Sequence, residues 1–115
     1  MKLEITRNLI ARDLDASDPA DLLTHVLEAA FELLSFEGND FTWSSWSDAG
    51  EALAEVRSIL AKVKNGDLPE RTEVAVLFAP TGPIQEVGLC SGWSDAFLAV
   101  AERFDYADRK LWGKR

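Results

Sequence analysis

The chain has 115 residues, of which 47% are hydrophobic, and its formal net charge is −8. A chain of this length and composition forms one hydrophobic core, so two domains and an intrinsically disordered body are excluded. The excess of acidic residues argues against a nucleic-acid-binding surface. The sequence contains no run of about 20 apolar residues, so it predicts no membrane span.

The charges divide the chain into two parts. All acidic residues lie in residues 1–108, which we predict to form a single domain, and residues 109–115 form a short basic tail. Charges near the start, where a secretion signal would be apolar, favour a cytoplasmic protein, and the single cysteine, Cys90, excludes an internal disulfide. No motif for a phosphate, a dinucleotide or zinc occurs, so the sequence predicts no cofactor and no metal.

The first predicted element is a strand over about Leu3–Ala11, because its first residues alternate between apolar and polar. A helix follows, with Asp18 as its N-terminal cap and Pro19 at its first position. Two adjacent apolar rows carry this helix to about Phe36. A second helix begins after Ser45 or Ser47 as its cap and ends at Asn65–Gly66.

The next segment predicts a β-hairpin. Thr72–Phe78 is apolar on both faces, which is typical of a central strand, and Pro83–Leu89 is mixed, which is typical of an edge strand. The turn between them contains Gly82, which we expect to be free to adopt a positive φ. A third helix runs from Ser94 to about Phe104, and the stretch from Asp105 onwards either extends it or frays.

The predicted order is therefore strand, helix, helix, strand, strand, helix. This order indicates an α+β fold, in which a small, mostly antiparallel three-stranded sheet packs against three helices.

One sequence pattern occurs twice, 47 residues apart, and each copy precedes a predicted helix. The residues Ser44, Trp46, Ser47, Asp48 and Ala49 recur as Ser91, Trp93, Ser94, Asp95 and Ala96. In a structural interpretation, the serine caps the helix, the aspartate lies near the positive end of the helix dipole, and the tryptophan packs back on the helix.

A functional interpretation groups three of the tryptophans. Trp43, Trp46 and Trp93 are candidates for a partly exposed aromatic cluster, and Asp48 and Asp95 would border it with negative charge. Aromatic side chains are enriched in protein interfaces, so such a cluster would bind a basic partner. The alternative is that the indole rings fill the ends of the core.

Gln85 and Glu86 form a further candidate pair. They are consecutive in the predicted edge strand and therefore point to opposite faces. At least one of them would lie at a covered position, where it makes a structural hydrogen bond or marks a ligand site.

Three functions remain open from the sequence. The first is a small acidic binding protein without catalytic activity, in its sharpest form an immunity protein or inhibitor of a basic toxin or nuclease. The second is a thiol enzyme that uses Cys90 as nucleophile, with His25 or a carboxylate as base. The third is a homo-oligomeric structural module that buries Leu111 and Trp112 between copies.

Overall fold

The computed structural model describes residues 3–12, 18–80 and 82–113, and these residues form six α-helices. The helices are α1 (Glu4–Ile10), α2 (Pro19–Leu34), α3 (Ala49–Lys64), α4 (Arg71–Phe78), α5 (Pro83–Ser91) and α6 (Ser94–Leu111). No strand occurs in this described part of the chain, so the predicted α+β fold with its three-stranded sheet is wrong. None of these helices combines the length and apolar character needed to cross a membrane.

The helix α2 lies at the centre of the fold and packs against α1, α3 and α6. Its start is as predicted, because the Asp18 side chain accepts a hydrogen bond from the Asp21 N–H at 3.0 Å and Pro19 is the first helical residue. Its two apolar rows are fully buried: Leu22, Leu23, Val26, Leu27, Ala29, Ala30, Leu33 and Leu34. These rows therefore form the middle of the hydrophobic core.

The three segments predicted as strands are the helices α1, α4 and α5. In α4 the buried residues are Val74, Leu77 and Phe78, whose i, i+3, i+4 spacing places them on one helical face. Val76 is 55% exposed, so the segment is not covered on both faces as the strand prediction required. The helix α5 shows the same spacing, and Pro83 begins it at a position where a proline fits a helix as well as an edge strand.

The connection from α4 to α5 is a tight turn. The Gly82 N–H donates a hydrogen bond to the Ala79 carbonyl at 2.9 Å. Gly82 has a φ of −76°, so the expected positive φ is not used. A Cβ atom at this position would instead lie 2.7 Å from the Val76 carbonyl oxygen, and the close approach of the backbone explains the glycine.

The short helix α1 is held by its two neighbours in space. The Glu32 carboxylate of α2 accepts hydrogen bonds from the Ile5 and Thr6 N–H groups, both at 2.9 Å, and from the Thr6 hydroxyl at 2.8 Å. At the other end of α1, the Arg103 guanidinium of α6 donates to the Ile10 carbonyl at 3.0 Å. Both ends of α1 are therefore attached to longer helices.

The helix α6 continues beyond residue 108, so it includes Arg109 and Lys110 of the predicted basic tail. The cationic groups of both residues lie over the Tyr106 ring, 5.9 and 5.5 Å from its centroid. Leu111 and Trp112 are partly buried against the hydrophobic core of their own chain. Lys114 and Arg115 lie outside the described residues.

Candidate functional site

A groove of about 900 Å³ lies between α4 and α6, and phenylalanine rings form its floor. The Phe78 and Phe104 rings stack with their centroids 4.7 Å apart, and Phe78 lies parallel to Phe97 at 6.4 Å. All three side chains are buried in the core. The floor is therefore apolar and held in place by core packing.

Two aliphatic side chains stand at the mouth of the groove. Val76 of α4 is 55% exposed and Leu98 of α6 is 53% exposed, and both line the groove. The lining also includes three small residues, Ala75, Ala79 and Ala101. Removing such apolar surface from water is favourable by about 25 cal/mol per Å², and this gain must exceed the entropic cost of association before a complex forms.

Charged residues lie along the α6 side of the groove. Arg71 of α4 donates two hydrogen bonds to Asp108, from Nε at 2.7 Å and from Nη2 at 2.8 Å. The hydrogen-bonded Asp108 carboxylate raises the pKa of Arg71 above its usual value, and the charge attraction adds to this effect. Because Arg71 pairs with Asp108 and the Arg103 guanidinium lies 3.6 Å from the Glu102 carboxylate, the exposed carboxylate of Asp105 gives the margin its excess negative charge.

The predicted aromatic cluster is divided between the surface and the core. Trp43 is 74% exposed, whereas Trp46 and Trp93 are only 3% and 5% exposed. The Trp46 Nε1–H donates to Glu55 at 3.3 Å, and the Trp93 Nε1–H donates to the Asn39 side-chain oxygen at 2.7 Å. Of these three indoles, Trp43 alone presents a large surface to a partner.

The two aspartates of the repeated pattern differ in position. Asp48 is the N-cap of α3 and accepts a hydrogen bond from the Glu51 N–H at 2.9 Å, so neither Ser45 nor Ser47 caps this helix. Asp95 lies inside the first turn of α6 and is exposed. The α6 N-cap position is occupied by Trp93, and no side chain makes a capping hydrogen bond there.

Gln85 and Glu86 lie on the helix α5 and not on a strand. Consecutive residues of an α-helix are separated by about 100° around the axis, so these side chains do not point to opposite faces. Gln85 lines the groove between α4 and α6, and Glu86 lies half-buried in the first turn of α5. Of the predicted pair, Gln85 therefore lines the groove and Glu86 does not.

Cys90 is exposed and lies in the last turn of α5. It therefore lies near the C-terminal end of a helix and not at a helix N-terminus. His25 lies on α2, with its ring nitrogens 3.3 Å from the Glu28 carboxylate and 3.5 Å from that of Asp21. Within the described residues, no hydrogen bond joins His25 to Cys90.

The acidic and histidine side chains do not gather around a common point. Glu28 lies between His25 and Lys64, whereas Glu32 bonds to the start of α1. In residues 3–12, 18–80 and 82–113, no group of three or more His, Cys, Asp or Glu side chains is arranged to hold a metal ion.

The loop before α3 is hydrogen-bonded to the start of the second copy of the repeated pattern. The Asp40 N–H donates to the Ser91 hydroxyl at 2.9 Å, and the Asn39 side-chain amide also donates to the Leu33 carbonyl at 2.9 Å. Hydrogen bonds from the Thr42 side chain and backbone lower the pKa of Asp40 below its usual value. This loop is thus tied to the end of α2 and to the junction of α5 and α6.

The sequence predictions missed the groove, although they contained one of its lining residues, Gln85. The reason is the strand predicted over 72–78, which was expected to be covered on both faces. The spacing of Val74, Leu77 and Phe78 is the signal that would have placed Val76 on an exposed helical face.

No protein-family model matches this chain, and no curated protein or solved structure shows significant similarity to it. The groove and the net charge of the chain are therefore the features on which a proposed function rests.

Proposed function

We propose that this protein is a small, acidic, non-catalytic binding protein that captures a basic protein partner in the groove between α4 and α6. The observation that carries the proposal is the pair of half-exposed aliphatic side chains, Val76 and Leu98, at the mouth of a groove with a phenylalanine floor. Glu102 and Asp105 stand at its margin. An apolar centre with a polar rim is the usual anatomy of a protein interface.

The charge of the chain supports a basic partner over a second copy. A formal charge of −8 attracts a basic protein from a distance and increases its rate of encounter. Two copies meeting at this groove would instead bring together two chains of charge −8, with an Asp105 carboxylate at each margin. In its sharpest form, the proposal is an inhibitor or immunity protein that neutralises a basic toxin or nuclease in the cytoplasm.

The exposed Trp43 is a second candidate contact in this proposal. It lies in the loop before α3, close in sequence to the carboxylates of Asp40 and Asp48. An aromatic ring beside negative charges is suited to a basic partner in the same way as the groove.

The test compares three forms of the protein as immobilised bait for lysate of its native host. These are the wild type, the double variant Val76→Gln/Leu98→Gln and the control Leu68→Gln, whose leucine is 43% exposed outside the groove. Substitutions at such exposed positions change the free energy of unfolding by at most about 0.5 kcal/mol, so all three should fold, which circular dichroism can check.

We expect a basic protein to remain on the wild type and on Leu68→Gln at low salt and to be released at high salt. The double variant should lose it, and with the purified partner its affinity should fall about tenfold or more. Equal retention on all three forms, or binding that is insensitive to salt, would contradict the proposal.

A further inference from the structure

We infer that the groove between α4 and α6 receives an amphipathic basic α-helix of the partner, about three turns long. This inference rests on the proposed function and adds the form of the ligand to it.

The hydrogen-bonding needs of a ligand's backbone favour a helix in this groove. The groove is lined by side chains of α4, α5 and α6 around phenyl rings, and these helices offer no sheet edge to an extended peptide. An extended segment laid on this floor would bury its own N–H and C=O groups without partners, which is costly. A helix bonds these groups internally, so it can place apolar side chains on the floor without that cost.

The dimensions of the groove also fit a helix. The groove follows α6 from Leu98 to Asp108, a rise of ten residues, which corresponds to about 15 Å of helix. A volume of about 900 Å³ over this length gives a cross-section of about 60 Å², roughly half to three-quarters of that of a helix 10–12 Å across. A helix would therefore lie in the groove with one face buried and the opposite face in solvent.

The two ends of the groove differ in polarity. Arg71 at the start of α4 pairs with Asp108 near the end of α6, whereas Phe78 at the end of α4 packs against Phe97 near the start of α6. One end is therefore charged, and the other, with Leu98, is apolar. Asp105 follows Leu98 by seven residues, or about two helical turns.

This polarity specifies a pattern for the partner. Apolar residues spaced i, i+3 or i+4 should occupy the apolar end, and a Lys or Arg about two turns away should reach the carboxylate of Asp105. The spacing matters as much as the charge, because only a helical periodicity presents both groups on one face.

The experiment uses three synthetic peptides of about 14 residues on an alanine background. The first has leucines at helical spacing with lysines two turns away, and the second contains the same residues with the leucines at alternate positions. The third keeps the helical spacing but has glutamates in place of the lysines. Binding to the isotope-labelled full chain is followed by amide chemical shifts, with Leu98→Gln and Leu68→Gln as matched variants.

We expect the first peptide to shift the amide signals of groove residues and to bind about tenfold more tightly than the other two. Its affinity should fall in Leu98→Gln and stay unchanged in Leu68→Gln. Equal binding of the two lysine peptides at the groove would overturn the helical form of the ligand but leave the basic partner in place. Equal binding of the glutamate peptide would show that the groove does not require a basic partner, and this would overturn the proposed function. Unmoved groove signals with the first peptide would overturn the inference.

Discussion

Trp46 and Trp93 occupy equivalent positions in the two copies of the repeated pattern, and both are buried, but their indole nitrogens bond to very different places. Trp46 donates to Glu55, nine residues further along, in the helix that it precedes. Trp93 donates to Asn39, which is 54 residues away and lies in the loop before the first copy. The first indole stabilises its own helix end, whereas the second joins two parts of the fold.

The two helices also start at different positions of the pattern. The helix α3 begins at Ala49, after the capping Asp48, but α6 begins two pattern positions earlier, at Ser94. The preceding chain explains this shift, since α6 follows α5 through Gly92, whose φ is 89° and whose N–H bonds to the Gly88 carbonyl at 2.9 Å. The residue at which a helix starts therefore depends on the conformation of the preceding chain as well as on the local sequence.

The largest expected effect comes from truncating the two tryptophans. We expect Trp46→Ala and Trp93→Ala each to lower the free energy of unfolding by about 3–5 kcal/mol, measured by chemical denaturation. Trp93→Ala should cost more, because the Trp93 ring also packs on Gly88, where a Cβ atom would lie 3.0 Å from it.

If either alanine variant fails to fold, Trp46→Phe and Trp93→Phe provide the same ranking with smaller losses. A larger loss at Trp46 than at Trp93 in both pairs would show that the second copy does not link the fold as described.

A medium effect is expected from the hydrogen-bond acceptors of the two indoles. Asn39→Ala should cost about 1–3 kcal/mol, because it leaves a buried indole N–H without its acceptor and removes the bond to the Leu33 carbonyl. Glu55→Ala should cost less, since its bond is longer and Glu55 is exposed, so water can replace it. Thermal or chemical denaturation measures both.

A double-mutant cycle between Asn39→Ala and Trp93→Phe is the control for this comparison. Coupling of about 1 kcal/mol is expected if the two side chains interact as described. Additive effects would contradict the bond between the loop and the second copy.

The smallest effect is expected at the two aspartates. Asp48→Ala should lower the free energy of unfolding by about 1 kcal/mol, because it removes the cap of α3. Asp95→Ala should lower it by only about 0.3 kcal/mol, since Asp95 acts through the helix dipole at an exposed position. Asp48→Asn keeps the capping oxygen and should restore most of the loss. Equal losses at both aspartates would mean that they have equivalent positions after all.

The helices α2, α3 and α6 were predictable because each has a long periodic apolar face, and in α2 the predicted cap, Asp18, is also the observed one. The helix α4 was not, since an apolar run as short as Val74–Phe78 fits a strand and a helix equally. Pro83 was likewise compatible with both structures. In these short segments, packing against the neighbouring helices decides the conformation, and that information is not local in the sequence.

The candidate site was less predictable than the fold. The repeated pattern predicted an aromatic cluster for binding a partner, but two of its three tryptophans, Trp46 and Trp93, are core residues. The groove depends instead on the pairing of α4 with α6, and the contact between Arg71 and Asp108 joins residues 37 positions apart. The acidic charge predicted a basic partner, which stays a prediction, and the pairing of α4 with α6 forms the groove in which we propose that it binds.

The attachment of α1 has a consequence for the order in which the molecule assembles and comes apart. A helix of seven residues is too short to persist alone in water, and α1 makes no capping hydrogen bond from its own N-cap side chain. Its first amides are satisfied by Glu32, so α1 is helical only when α2 has already formed beside it. We therefore expect residues 4–10 to become helical only against α2 and α6, and to detach from them before the rest of the core opens.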